Sequence, residues 1–210
     1  MNKKTIFLIV IAVIILIIIG VWLFQASYPA TNPPLSSREI DPDTLPGIQT
    51  GPVPWAVEQD HLQDRLTSIG LPALKQEGSA LHTHQHLDLY IKGQSIAIPA
   101  DIGIGPLERF IAPIHTHDNT KIIHVESPKI QKFTLGQFFD TWGVRLTDTC
   151  LGAYCNDSEN TLQLFVNGKE VTQNFRDLAL AARQEIVITF GTPQELPNPI
   201  PASYTFPAGY

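Results

Sequence analysis

The chain has 210 residues, 43% hydrophobic and 16% charged, with a formal net charge of −6. That length fits one domain of about 100–150 residues with accessory segments. The acidic balance, with no Lys/Arg cluster interleaved with aromatics, excludes the electrostatic footprint of a nucleic-acid binder, so no nucleic-acid partner is expected.

Residues 6–24, "IFLIVIAVIILIIIGVWLF", carry no charge. As a helix this run rises about 28 Å, close to the ~30 Å hydrocarbon thickness of a bilayer. A cleavable signal has a shorter apolar core of about 7–15 residues and ends at a small-x-small site. Here Ala26 has Phe24 two positions before it and Ala30 has Tyr28, so an uncleaved anchor over residues 1–25 is expected. Lys3 and Lys4 precede the run and the next basic residue is Arg38, which predicts a cytoplasmic N-terminus and an exported remainder. The expectation is a single-pass protein of the cell membrane. The membrane, through residues 6–24, is the one partner the sequence identifies; no protein partner can be read from it.

Residues 25–54 contain seven prolines and little apolar periodicity, a composition that predicts an extended stalk over 26–54. An extracytoplasmic domain over 55–192 and a proline-rich tail over 193–210 complete the expected layout. Within the domain, Leu62, Leu66 and Ile69 fall at helical spacing before the stop signals Gly70 and Pro72. His61, in this segment, reads as an ordinary surface residue.

From Leu81 the period changes to two. "HLDLYIKGQSIAI" predicts two strands around a turn at Lys92-Gly93, with Leu87, Leu89 and Ile91 on one face. "TLQLFVNGKEV" repeats the pattern around Asn167-Gly168, aligned from Leu87 and Leu162. Between them, "KFTLGQFFDTWGV" pairs Thr134 with Gln137 as a capping box. Leu135, Phe138, Phe139 and Trp142 follow as an apolar stripe, and Gly143 stands where a C-cap belongs. That stripe reads as the helix face that packs on a sheet. "EIVITFG" predicts a last strand. The fold expected is α+β, with short β-hairpins packed on one amphipathic helix in a β-grasp-like arrangement; a β-sandwich is the alternative. Cys150 and Cys155 are the only cysteines, and a local disulfide is preferred over metal ligation or thiol redox chemistry.

Six of the seven histidines lie in two stretches, "LHTHQHLDLY" and "IHTHDNTKIIHVESP". Alternate residues of a strand share a face. His82, His84 and His86 therefore form one row opposite the core-facing Leu87, Leu89 and Ile91. In the second stretch, a hairpin closed over Asp118–Lys121 with His117 opposite Ile122 sets His115 across from His124, so that three imidazoles converge. A one-residue slip would undo this by turning His124 to the other face.

Neutral imidazoles suit a divalent transition metal, copper or zinc above all. The only methionine is Met1, which argues against a methionine-rich cuprous carrier. His82, His84, His86, His115, His117 and His124 are the candidate ligands, with Asp118 and Glu126 as candidates to add an oxygen or orient a ring. A steep loss of affinity below about pH 6 is expected, since histidine must be neutral to ligate. A histidine network without metal is the competing reading of the same residues. Sequence signatures of catalysis are lacking: there is no H-E-x-x-H, no G-x-S-x-G and no Walker loop, and no glutamate stands where a cupin would place it. A metal-dependent enzyme and a cell-envelope interaction module rank behind metal sequestration or handover.

The phrases "ALHTHQHLDLYIKGQSIAIPADIGI", "IHTHDNTKIIHVESP" and "FTLGQFFDTWGV" resemble a family of exported or membrane-anchored prokaryotic proteins known only as uncharacterised. The resemblance spans roughly residues 60–190. It implies one recurring module, but no activity and no functional residue.

Overall fold

Strand β1, Leu81–Ile91, organises the fold by pairing on both sides. In a computed structural model describing residue 2, residues 40–172 and residues 174–210, eight further strands follow: β2 Gln94–Ile96, β3 Ile114–His115, β4 Ile122–Ser127, β5 Cys150–Leu151, β6 Tyr154–Cys155, β7 Thr161–Val166, β8 Lys169–Val171 and β9 Glu185–Gly191. Two helices, α1 Leu62–Ile69 and α2 Leu135–Trp142, complete the frame. Seven strands form one mixed sheet in the order β3-β4-β1-β9-β7-β8, with β2 also pairing β1, and β5-β6 stand as a separate ribbon. The class is α+β. One continuous mixed sheet, and not two facing sheets, overturns the β-sandwich alternative. The stop signals at Gly70 do end a second helix, whose Leu62, Leu66 and Ile69 join the same core.

The alternation of β1 sorts its side chains. Leu87, Leu89 and Ile91 enter one apolar cluster with Ile123 and Val125 of β4, Leu162 and Leu164 of β7, and Ile186 and Ile188 of β9. The stripe of α2 completes that cluster through Leu135, Phe138, Phe139 and Trp142. Its ends are as the sequence predicts: Thr134 and Gln137 make both bonds of the capping box, and Gly143 takes the left-handed conformation at φ 80°. Both hairpin turns also fit. Lys92-Gly93 and Asn167-Gly168 each place two successive residues at positive φ, as a two-residue turn of type I′ requires. The two hairpins flank β9, β1 running parallel to it and β7 antiparallel.

The anchor expected over residues 6–24 lies outside the described residues. Among those described, no helix is long and apolar enough to cross a membrane. The stalk expectation needs correction for residues 40–54, which belong to the same compact unit as the rest of Glu39–Tyr210. Leu45 and Trp55 are buried in the core, with Ile40, Ile48 and Val53 packed against it. Gln49 bonds by N–H to the carbonyl of Gly143 at 2.7 Å and accepts from Arg145 N–H at 3.2 Å. Isolated apolar residues anchor this segment without any helical or strand period, so periodicity misses it. The tail also docks: Phe206 is buried and its ring lies 5.0 Å from that of Tyr204. Cys150 and Cys155 face each other across β5-β6 and are bonded to one another, which removes both sulfurs from metal ligation.

Candidate metal centre

The sheet face opposite the core carries the histidines. β4 lies between β1 and β3, and the registers fix its neighbours: His84 pairs with His124, His82 with Glu126, and His115 with His124. The cross-hairpin pairing of His115 with His124 is the one the loop over Asp118–Lys121 predicts. The second pairing, of β4 with β1, joins the two histidine stretches into one row of three rings, from His115 through His124 to His84. Ring centroids stand 5.4 Å apart for His115 and His124 and 4.6 Å for His124 and His84.

The ring nitrogens point inward. His82 Nε2 and His84 Nε2 are 3.1 Å apart, as are His115 Nε2 and His117 Nε2. Glu126 Oε1 lies 3.3 Å from His82 Nε2, 3.2 Å from His124 Nδ1 and 3.9 Å from His115 Nε2. With zinc–nitrogen bonds of about 2.0–2.1 Å, two ligand atoms of a tetrahedral ion stand about 3.3–3.4 Å apart. Most of these separations are close to that edge. His115 also has its tautomer fixed: the fully buried ring donates from Nδ1–H to the carbonyl of Ala112 at 2.9 Å, which leaves the Nε2 lone pair facing the cluster.

The protonation states suit ligation. Burial, reinforced by the neighbouring His117 and His124 and opposed by Glu126, carries His115 down to about 3. Burial, with His124 and His82 adding and Glu126 opposing, carries His84 down to about 4. For Glu126, burial raises the carboxyl, but the His124 hydrogen bond and the charges of His115, His82 and His124 outweigh it and bring it to about 2. Near neutral pH His84 and His115 are therefore neutral imidazoles beside the Glu126 carboxylate.

Five of the six predicted histidines meet here, in two overlapping sets: His82, His84, His124 and Glu126; and His115, His117, His124 and Glu126. His86 does not join them. Its Nδ1 lies 2.9 Å from Glu185 Oε2 on β9, and its ring stacks on Tyr204 at 3.8 Å. It falls in a third set with Asp88 and Glu185. The pleat does keep His86 on the row's face, but the register sets it opposite Ile122, beyond the paired rings. Asp118 enters neither shared set. It accepts from Thr120 N–H at 2.9 Å and from the Thr120 hydroxyl, and those two bonds hold its carboxyl below the usual range.

Glu126 has the opposite fate: expected at the margin, it sits at the centre. The H-x-E spacing of His124 and Glu126 on one strand face was the available signal. Around this core the structure adds residues with no sequence signature. Glu77 Oε1 lies 3.2 Å from His117 Nε2, and the Tyr210 ring lies 4.6 Å from that of His84 and 5.4 Å from that of His124. Arg183 holds the Tyr210 carbonyl at 2.5 Å. A groove of about 510 Å³, lined by Lys75, Glu77, Phe110 and Ile111 among others, opens at His117.

Comparison with protein-family models, curated proteins and solved structures finds no match to this chain. The geometry alone carries the functional reading.

Gly103 supports the site from behind. Its φ is +78°, and a Cβ there would lie 2.6 Å from the Ile114 carbonyl oxygen and 3.1 Å from His115 Cβ. Gly103→Ala is expected to cost at least about 1–2 kcal/mol from the left-handed backbone alone, before any clash with the strand that carries His115. A denaturant midpoint unchanged from the parent would show that this contact is slack.

Proposed function

We propose that this chain is a membrane-anchored protein whose extracytoplasmic domain binds a divalent transition metal, zinc or copper, for sequestration or handover. The observation that carries the reading is the convergence of five imidazoles and Glu126 from three adjacent strands and the bend just after β3, with His115 fixed in the tautomer that ligates. Nitrogen and carboxylate donors without thiolate or thioether suit zinc and cupric ions and do not suit a cuprous carrier. The membrane placement rests on residues 6–24 and the Lys3/Lys4 bias. The resemblance to exported prokaryotic proteins is in keeping with it. The parallel β1–β9 pair at the sheet centre, with hairpins on either flank and helices on the core face, supports a β-grasp-like description of the fold.

The groove at His117 favours metal-dependent catalysis as the second reading. A carboxylate, Glu77, stands at that wall, where a general base would have to be.

Zinc or cupric titration of the purified full chain at about pH 7.5 tests the binding, with tight uptake expected. Affinity is expected to fall with acidity, because a protonated ring has no lone pair to give. At His84 and His115 that competition sets in only as the pH approaches about 4 and about 3. Their share of the loss thus comes well below the onset near pH 6 that ordinary imidazoles give. No uptake at neutral pH, or uptake indifferent to pH down to about 3, would sink the reading.

A further inference from the structure

The two overlapping sets have a geometry that one ion does not satisfy. An ion with bonds of about 2.1 Å spans no more than about 4.2 Å between any two of its ligand atoms. Within each set the ligand atoms lie inside 4.8 Å of one another, but no such set unites the rings of β1 with those of His115 and His117. The sheet explains the division. β4 separates β1 from β3, so those two strands are about 9.5 Å apart, two strand spacings. His82 and His84 lean in from one side, His115 and His117 from the other. His124 and Glu126, on the strand between, belong to both sets.

We propose that the histidine face holds two divalent ions side by side, one on the β1 pair His82 and His84, the other on the β3-side pair His115 and His117, with Glu126 shared between them. This rests on the metal-binding reading above and adds its number and arrangement. The position of Glu126 Oε1 carries it: one oxygen lies 3.3 Å from His82 Nε2 and 3.9 Å from His115 Nε2, within ligand-to-ligand distance of both pairs. A carboxylate between two ions about 3.5–4 Å apart is the usual bridge of two-metal sites. His124, with centroids 4.6 Å from His84 and 4.5 Å from His117, lies against both pairs and has one nitrogen lone pair to give, to one ion of the two. Glu77, 3.2 Å from His117 Nε2, adds negative charge on the β3 side. The third set, His86, Asp88 and Glu185, is not counted as a further site, because Lys121 Nζ already sits 2.8 Å from Asp88 Oδ1 and occupies the place of a cation.

The test uses the full chain, freed of metal by chelator and then loaded with cupric ion alone at about pH 7.5. Ions per chain are counted after gel filtration, and the paramagnetic resonance spectrum is recorded on the same sample. Two ions per chain are expected, with a half-field transition from their magnetic coupling. A variant carrying His82→Ala and His84→Ala is expected to retain one ion and lose the half-field signal, as is one carrying His115→Ala and His117→Ala. One ion per parent chain, or two without coupling, overturns the shared-carboxylate pair and leaves simple metal binding standing. No bound ion at all overturns both. The parent spectrum decides the matter even where a double variant fails to fold.

Discussion

His124→Ala is expected to weaken zinc binding by about 100-fold or more, while His86→Ala changes it by less than about threefold. Losing a residue that merely orients a ligand typically costs 10–100-fold in metal affinity, and a ligand common to both sets should cost more. His124 is almost fully buried, has His84 directly across on β1 and His115 directly across on β3, and lies 3.2 Å from Glu126 through Nδ1. Its removal takes away the one nitrogen donor that the two sets share and leaves Glu126 without its nearest imidazole. His86 shares the face but partners Glu185 and Tyr204. Competition against a chelating zinc indicator separates the two. Equal losses from both variants would mean that the row functions as a loose polyhistidine surface and not as a built centre.

Arg65→Ala should be the most damaging change away from the histidines, lowering unfolding stability by about 3–5 kcal/mol. Arg65 lies on the inner face of α1 and is wholly buried. Its Nε donates to the Asp140 carbonyl at 2.8 Å and its Nη2 to those of Thr141 at 3.1 Å and Glu58 at 2.6 Å. Nη1 reaches the Pro46 carbonyl at 3.2 Å and pairs with the Glu58 carboxylate. Two of these carbonyls belong to the last turn of α2, whose dipole favours a cation there, and that of Asp140 also takes the Gly143 N–H at 3.2 Å. Alanine would take this donor from the buried Thr141 carbonyl and from those of Pro46 and Glu58, and leave the Glu58 carboxylate without its guanidinium partner. Arg65→Lys would recover only part of the loss, because an ammonium lacks the fork that serves several acceptors at once. Urea unfolding followed by tryptophan fluorescence suits this, since Trp55 and Trp142 pack edge to face at 5.8 Å beside the site. An Arg65→Ala chain within 1 kcal/mol of the parent would falsify the assignment of that weight to the guanidinium.

What could be read from the sequence follows the range over which its signals act. The capping box at Thr134, the stop at Gly143 and the two glycine turns are local chemistry, and each appears where the residues place it. The pairing of His115 with His124 was equally accessible, because a four-residue loop sets it. The pairing of His84 with His124 was not, since nothing local tells one strand which distant strand will lie beside it. The same limit separated His86 from its row: alternation gave the correct face, but only the register against β4 and β9 shows that its neighbours are Ile122 and Glu185. Arg65 was hidden for another reason. A charged residue within an amphipathic pattern reads as solvated unless the carbonyls that receive it are known.

The central place of β1 bears on when the site can exist. Its half carrying His82 and His84 pairs with β4, and its other half runs alongside β9, where His86 and Glu185 meet from 99 positions apart. A contact of that span closes slowly, because a long loop must lose its freedom before the contact is made. The imidazoles are therefore synthesised well before the framework that aims them is complete. Until β9 arrives, β1 lacks one of its two long neighbours and His86 its Glu185 partner.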